Sequence, residues 1–388
     1  MEHVVLDLTL TPEQGQKVFS GTVDECWEFV NQQGVRSQYK VVSIGTATTL
    51  NSPKDVWKFE ILERIEQLSY TIDELAGEVA SGISSGGDKV FRIPESLAYD
   101  LQLETALLHP VLVGGEIDKY SITNTKHYLL YTTKKVDIDK FPNCLKYLRP
   151  HKDKLSQKRE TLKGTLPWWC LHWSRYPELF TKPKIIMHRM TDSIIATYDD
   201  SGFFTLDSII LYQTKPELQA EIDYKFILGM LNSKINLFAY RNFAKDERWL
   251  SPRRVKFKNV RNLFVPKISR AEQQPFIALV DYMLWVNAHE TPQASPYIDN
   301  KRMTYAFENA LNMCIYELYF AEEMKAQGID VLQFAHFQDI SQETDAKKIA
   351  DIIGKAYHDL QAYESPIRNR IILAGVRNET IAKISGTY

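Results

Sequence analysis

The sequence is poor in the features that mark several broad classes of protein. It has four cysteines in 388 residues and no CxxC pair, which argues against a disulfide framework and against zinc-ribbon spacing. Its apolar runs are all shorter than the roughly 18 residues that a membrane-spanning helix requires. The N-terminal segment MEHVVLDLTL is too short and too acidic for a signal peptide. We therefore expect a cytoplasmic protein with free, mostly buried thiols and no membrane contact.

The chain also lacks the excess of positive charge that many nucleic-acid-binding proteins carry, since its net charge is -2. Any affinity for nucleic acid must therefore depend on how charge is distributed. Residues 145–184 hold ten basic and three acidic side chains, which is a local net charge of +7. Residues 241–270 form a second basic stretch, whereas the tail from Glu317 is rich in Asp and Glu. The balanced total thus conceals a basic middle and an acidic end.

Two motifs of adenine methyltransferases are missing. The chain has no (N/D/S)PP(Y/F) tetrapeptide, whose carbonyl oxygens and aromatic ring would hold a flipped adenine. Gly86-Gly87 and Gly114-Gly115 lack the GxGxxG frame of a nucleotide-binding turn. We expect this chain to bind no S-adenosylmethionine and to be non-catalytic on its own.

A nuclease, or another DNA-acting enzyme with an unrecognised active site, is the alternative. Glu323-Met324-Lys325 has the ExK spacing of some metal-dependent nucleases, but it ends a predicted amphipathic helix, which favours a solvated face. Cys170 and His172 have no second ligand pair at zinc-site spacing. Metal-dependent cleavage by the isolated chain would favour this alternative over simple DNA binding.

Periodicity predicts an α+β fold with three regions. Residues 1–75 resemble a small α/β segment, and residues 76–266 alternate short strand-like runs with glycine turns, as in a mixed α/β domain. Residues 267–388 follow the 3.6-residue period of helices. Within the middle region the pattern predicts long helices at 143–160 and 220–239. It predicts strands at residues 89–93, 127–131, 184–189, 194–198 and 208–212.

Basic side chains with partial helical spacing occupy residues 145–163. They could contact successive phosphates across a groove of DNA, or they could form a solvated helix face, and composition does not separate the two. The candidates for phosphate contact in this run are Lys146, Lys152, Lys158 and Arg159.

Aromatic and basic residues are mixed at two further places. A tryptophan-rich stretch at 168–175 could line a cleft that contacts bases, or its rings could pack into a core. A proline-containing loop near residue 252 presents arginines, whose planar fork can read guanine bidentately or bind phosphate. The candidates in and around these stretches are Trp169, Trp173, Arg175, His188, Arg248, Arg253, Arg254 and Lys256.

The order of these segments resembles the target-recognition (specificity) domain of TaqI-like N6-adenine DNA methyltransferases. The resemblance covers roughly residues 55–335 and depends on the order and spacing of motifs that are individually weak. They include a glycine turn before VFRI, the segment HPVLVGGEIDKY, a basic helix, the tryptophan-rich stretch, the strand PKII, an aspartate/glycine turn and the helix LNSKINLFAY. They occupy residues 82–93, 109–120, 141–159, 168–175, 183–189, 199–207 and 231–240.

The resemblance implies sequence-specific recognition of double-stranded DNA, as the specificity part of an adenine methyltransferase or restriction–modification enzyme. In that family an N-terminal domain binds S-adenosylmethionine and methylates adenine, and residues 1–50 do not match that domain. We therefore expect a catalytic methyltransferase partner, either elsewhere in a longer polypeptide or as a separate subunit. The expected domains are 1–75, a target-recognition domain at 76–266 and a helical domain at 267–388.

Overall fold

A computed structural model describes four strands within residues 4–50 and the chain at 56–123, 126–243, 254–289 and 299–386. The chain divides into two compact units, residues 1–70 and 71–388. The α+β class and the helical C-terminal region that periodicity predicts are confirmed.

The first unit combines an antiparallel sheet with one helix. Its strands are β1 (Val4–Thr9), β2 (Gln16–Gly21), β3 (Tyr39–Ser43) and β4 (Thr46–Leu50). They are hydrogen-bonded in the order β2-β1-β3-β4. Helix α1 (Val56–Gln67) follows, and a short strand, β5 (Ser69–Thr71), lies at the boundary with the second unit.

Two four-stranded sheets form the middle of the second unit. Its strands are β6 (Ala76–Ser81), β7 (Arg92–Pro94), β8 (Leu108–Leu112), β9 (Ile117–Asp118), β10 (Ser121–Ile122), β11 (His127–Leu130), β12 (Lys184–His188), β13 (Ala196–Asp199), β14 (Phe204–Thr205), β15 (Ile209–Thr214) and β16 (Phe264–Pro266). One sheet has the order β13-β12-β15-β6 and is antiparallel throughout. The other has the order β14-β8-β11-β7, with β14 and β8 parallel. Buried side chains of both sheets, among them Ile186, Leu211, Ile93 and Leu129, belong to one hydrophobic cluster.

Short helices connect the strands, and long helices follow them. The connecting helices are α2 (Ile72–Leu75), α3 (Asp88–Phe91), α4 (Glu95–Asp100), α5 (Pro142–Leu148), α6 (Lys152–Leu155), α7 (Arg159–Leu162), α8 (Glu178–Thr181), α9 (Tyr224–Asn232), α10 (Lys234–Phe243) and α11 (Phe257–Arg261). The C-terminal helices are α12 (Gln274–Ala288), α13 (Asn300–Ala326), α14 (Ala346–Gln361), α15 (Pro366–Arg377) and α16 (Glu379–Ser385).

Two buried asparagines tie α9 and α10 to the strands. Asn232 accepts a hydrogen bond from the backbone N–H of Ala196 (3.0 Å) and donates one to its carbonyl oxygen (2.9 Å). Asn236 makes the same pair of bonds to Phe264, each 2.8 Å long. Each side-chain amide therefore pairs with a peptide group as a neighbouring strand would, and α9 and α10 are held in register with β13 and β16.

A buried ion pair joins the first residues of the β12–β13 ladder. Lys184 and Asp199 are partners in the register of the two strands, and their side chains are fully buried with Nζ and Oδ2 2.6 Å apart. The Lys184 ammonium also donates to the carbonyl oxygen of Phe180. Burial lowers the pKa of Lys184, and the charge of Asp199 opposes that shift. Separating the two side chains would leave each charge buried alone, which is costly. The pair therefore holds the start of β12 beside the end of β13.

Four of the five predicted strands are present as β11, β12, β13 and β15. The strand expected at 89–93 is wrong for its first residues, because Asp88–Phe91 form helix α3. The Ser85 hydroxyl donates to the Asp88 carboxylate and accepts from the N–H of Gly87 (3.0 Å). These bonds close a turn that starts a helix before the chain becomes extended at β7.

Both long helices predicted in the middle region are interrupted. Residues 143–160 contain α5, a 3-10 turn at Arg149–His151, α6 and the start of α7. Pro150 lies at the first break. The helix is interrupted there because proline lacks an N–H and crowds the preceding turn. Residues 220–239 break at Ser233, whose ψ of 158° is extended and whose hydroxyl donates to the Met230 carbonyl.

The expectation of free, buried thiols is confirmed for Cys144, Cys170 and Cys314. Cys26 lies outside the described residues. Within the described ranges, no helix is both long enough and apolar enough to cross a membrane.

We predict that Asn232→Leu destabilises the second unit much more than Asn369→Leu. The first change leaves the N–H of Ala196 buried without its partner, at about 1–3 kcal/mol, and the Ala196 carbonyl keeps the bond that it accepts from the Tyr120 N–H (3.1 Å). Asn369, which makes one exposed bond to the Tyr363 carbonyl, is the matched control. Urea unfolding of both variants measures the difference, and equal losses would contradict the role given to Asn232.

Candidate nucleic-acid interface

The tryptophan segment, residues 166–177, is attached to its neighbours mainly through backbone atoms. The Leu171 N–H donates to the Thr132 carbonyl (2.9 Å), and the Thr132 hydroxyl donates to the Trp169 carbonyl (2.7 Å). Trp173 exchanges two backbone hydrogen bonds with Ser84, at 2.8 and 3.1 Å. Trp168 and Trp169 are half-buried and pack against the hydrophobic cluster. For these two rings, packing is the observed role.

The far end of the tryptophan segment carries large exposed rings beside an arginine. Trp173 is 64% exposed and Tyr176 is 80% exposed. The Arg175 guanidinium lies 5.7 Å from the Trp173 ring centroid and donates to the Ser81 hydroxyl (2.5 Å). A cation over an aromatic face is attracted to it, so Arg175 holds the indole in place while leaving its outer surface open.

Arg175 has an unusual backbone conformation. Its φ is +57°, a left-handed value that costs a residue with a side chain about 1–2 kcal/mol. Its carbonyl accepts a hydrogen bond from the Tyr131 hydroxyl (2.9 Å), which helps to fix the turn. Such values persist where surrounding bonds impose them, and they occur often at functional sites.

A groove of about 700 Å³ lies along this end of the segment. Its far wall is the loop after β11, which presents the exposed Lys134 and Lys135. His172 lines it too, and its Nε2 lies 2.5 Å from Oε2 of Glu160. The groove thus offers exposed aromatic rings and cations together, with Glu160 engaged by His172.

The basic run at 145–163 divides between surface and interior. Lys146, Lys152 and Arg159 are exposed, and the Lys152 ammonium lies 5.8 Å from the Trp168 ring centroid. The Arg159 guanidinium donates to Glu160 (3.1 Å). Lys146 and Lys152 therefore remain candidates for contact with a polyanion.

Lys158 is not on the surface, which corrects the expectation that it contacts a phosphate. It is only 8% exposed, and its ammonium donates to the carbonyls of Trp168 (2.9 Å) and Cys170. It also lies over the Phe91 ring, 5.4 Å from the centroid. Burial lowers the pKa of Lys158 to about 8. Helical spacing alone could not predict this, because the helix breaks between α6 and α7.

The first cluster of candidate residues is Trp173, Arg175 and Tyr176 on the tryptophan segment. A second cluster, His188, Arg189, Arg254 and Lys256, lies at the C-terminal end of β12. His188 packs against Gly114 so closely that a Cβ at residue 114 would be 2.4 Å from the His188 Cδ2 atom. Burial lowers the pKa of His188. The Arg189 guanidinium lies 5.2 Å from the Phe257 ring centroid, and its carbonyl accepts from the N–H of Val255 (2.8 Å).

The exposed Arg254 and Lys256 flank Val255 and are therefore held beside the end of β12. Arg248 and Arg253, predicted in the same loop, lie outside the described residues.

The sheet brings the two clusters to one edge, the one at which β12 and β6 end and β15 begins. His188 at the end of β12 is the register partner of Ile209 at the start of β15. The carbonyl of Ile209 accepts from the N–H of Gly82, which follows Ser81, the partner of Arg175. Two strand spacings of about 4.8 Å separate β12 from β6, so the clusters attach to points about 10 Å apart.

The structure adds four candidate residues that the sequence did not indicate: Lys134, Lys135, Tyr176 and Arg189. The Lys134-Lys135 pair directly after a predicted strand was the one available signal for the first two.

Comparison with known proteins gives one family match within this region. Residues 109–263 match the model of the TaqI-like C-terminal specificity domain, which confirms the resemblance seen in the motifs.

Two curated relatives are Type II methyltransferases. The chain is 24% identical over 278 residues to Type II methyltransferase M.BanIII of Aneurinibacillus aneurinilyticus, covering 66% of this chain and 47% of the relative. It is 21% identical over 151 residues to Type II methyltransferase M.BstVI of Geobacillus stearothermophilus, covering 37% of this chain and 26% of the relative. The chain thus spans less than half the length of either relative.

A solved structure of the Type IIL restriction-modification enzyme MmeI in complex with DNA also matches. The match covers 81% of this chain and 36% of the MmeI chain, with 12% identity and a TM-score of 0.41.

We predict that Lys158 makes stability depend on alkaline pH. The pKa of Lys158 is about 8 in the folded protein, against an ordinary value of 10.5. Between these two pH values the unfolded chain therefore binds the Lys158 proton more tightly than the folded protein does. The free energy of unfolding of the wild type, minus that of Lys158→Met, should therefore rise by about 1 kcal/mol per pH unit across this window. Urea unfolding at several pH values measures it. The exposed Lys152→Met is the control, and an equal slope for both variants would contradict the assignment.

Proposed function

We propose that this chain recognises double-stranded DNA by sequence within a restriction–modification system, with residues 76–266 as its target-recognition domain. One coincidence carries the proposal. The segment that matches a specificity domain, residues 109–263, also supplies the exposed rings and cations gathered at one edge of the sheet. The printed names of the relatives, Type II methyltransferases, support the same setting.

The chemistry of this edge suits duplex DNA. Lys134 and Lys135 of the groove, and the exposed Lys146 and Lys152 on the α5–α6 surface, can bind phosphates, which position a protein on DNA without reading its sequence. Arg175 and Arg254 lie in the two clusters, and an arginine fork matches the two acceptors of guanine in the major groove. The clusters attach about 10 Å apart, a span comparable with the roughly 12 Å width of that groove.

Methyl transfer is assigned to a catalytic methyltransferase domain or subunit that acts with this chain and uses S-adenosylmethionine. In this arrangement the present chain selects the DNA site and the partner modifies adenine. In the part of the chain that the structure describes, no group of three or more His, Cys, Asp or Glu residues is placed to hold a metal ion. The nuclease alternative would instead predict metal-dependent cleavage of DNA by the isolated chain.

Selection from a library of randomised duplexes tests the proposal directly. The purified chain should enrich a defined sequence at moderate salt, and its affinity should fall steeply as salt is raised, as expected of phosphate contacts. Enrichment of no sequence, alone or with a catalytic partner, would overturn it.

We predict that Lys152→Glu weakens binding to every duplex and flattens the salt dependence. Losing one phosphate contact should lower the slope of log affinity against log salt by about 1, and reversing the charge should cost roughly tenfold at low salt. Lys146→Glu should behave similarly. Lys347→Glu, an exposed lysine on α14, is the control. Fluorescence anisotropy with a random duplex checks this, and unchanged affinity would identify the α5–α6 surface as merely solvated.

We predict that Arg254→Ala relaxes the preference at one position of the selected sequence. A bidentate contact to guanine discriminates by about 1–3 kcal/mol, so the preferred base there should lose that advantage while other positions keep theirs. Repeating the library selection with the variant measures each position. A uniform loss of affinity across all sequences would instead place Arg254 on the phosphate backbone.

A further inference from the structure

Lys158 is a buried cation held by backbone carbonyls. Among the described residues no carboxylate is paired with it, and its partners are the carbonyl oxygens of Trp168 and Cys170 and the face of Phe91. An ammonium buried in this way costs free energy, which its two charge-assisted hydrogen bonds offset. The residues that accept these bonds open the tryptophan segment.

The stem of the same lysine crosses the turn that holds the other end of the segment. A Cβ at Gly86 would lie 2.7 Å from Cδ of Lys158 and 3.0 Å from Cβ of His172. Gly86 has a φ of +71°, and this turn contains Ser84, which pairs with Trp173 through backbone hydrogen bonds. Lys158 therefore contacts both chain segments that determine where Trp173 points.

We propose that Lys158 is a positioning residue for DNA selectivity: it fixes the tryptophan segment so that Trp173, Arg175 and Tyr176 project into the groove, without contacting DNA itself. This inference rests on the proposed function. It gives Lys158 the opposite behaviour from an exposed lysine that binds phosphate. Losing a phosphate contact weakens binding to all sequences alike, whereas misplacing the projecting side chains weakens the selected sequence most.

A pair of lysine variants separates these behaviours. Lys158→Met keeps the apolar stem and removes the donors, and Lys158→Gln restores a neutral donor. The control, Lys152→Met, changes an exposed lysine that also lies near Trp168. For each protein, the affinities for the library-selected duplex and for a random duplex are measured, and acrylamide quenching of tryptophan fluorescence reports how the indoles are exposed.

We expect Lys158→Met to lower the ratio of selected to random affinity by about tenfold or more, since one well-placed base contact contributes about that much. Its affinity for random duplex should change far less, its quenching should differ from that of the wild type, and Lys158→Gln should recover part of the selectivity. Lys152→Met should lower both affinities equally and leave their ratio unchanged.

The outcomes separate failure of this inference from failure of the proposed function. A cooperatively folded Lys158→Met or Lys158→Gln with unchanged selectivity and quenching would overturn the positioning role alone. If Lys158→Met does not fold, Lys158→Gln provides the test. If the wild type selects no duplex, the proposed function fails. The quenching comparison then still decides whether Lys158 orders the tryptophan segment, and unchanged quenching overturns that as well.

Discussion

Buried peptide groups must find hydrogen-bond partners, and this requirement organises the middle of the molecule, where regular elements are short. Side chains supply many of the partners that longer strands and helices would otherwise provide. Asn232 and Asn236 pair with peptide groups of β13 and β16, and Lys158 and Thr132 bind carbonyls of the tryptophan segment. Gln273 similarly bridges the Glu221 carbonyl and the N–H of Asp223. The sheets, the helices behind them and the groove are joined through these contacts.

This dependence also explains which parts of the fold could be predicted from the sequence. Helices α12, α13 and α14 follow an apolar period over many turns, so local pattern was sufficient to predict them. At Pro150 and Ser233 the apolar period continues although the helix is interrupted. The period therefore predicted one long helix in each place where the structure has two or more short ones. The short helix α3 was missed because its start depends on the Ser85 hydroxyl rather than on any periodic signal.

The candidate site was predictable only in part, because exposure is a property of the whole fold. Both sequence-based alternatives for Lys146 and Lys152 place them on the surface, where they are, whereas base contact and core packing stayed open for the tryptophans until the fold exposed Trp173 and packed Trp169 against the hydrophobic cluster. It could not show that Lys158 turns inward, since that depends on a glycine 72 positions earlier whose missing side chain leaves room for the lysine stem. The attachment of Arg175 and Arg254 to strands of the same sheet likewise depends on strand order, which no local pattern contains.

The tryptophan segment is fastened largely through its main chain, at the carbonyls of residues 168, 169, 170, 173 and 175 and the N–H groups of residues 171 and 173. Every amino acid except proline carries these same atoms. The outward side chains at 173 and 176 can therefore be exchanged over generations while the fastening atoms stay in place. Under the proposed function, substitutions at these two positions would change the surface offered to DNA and leave the support beneath them intact.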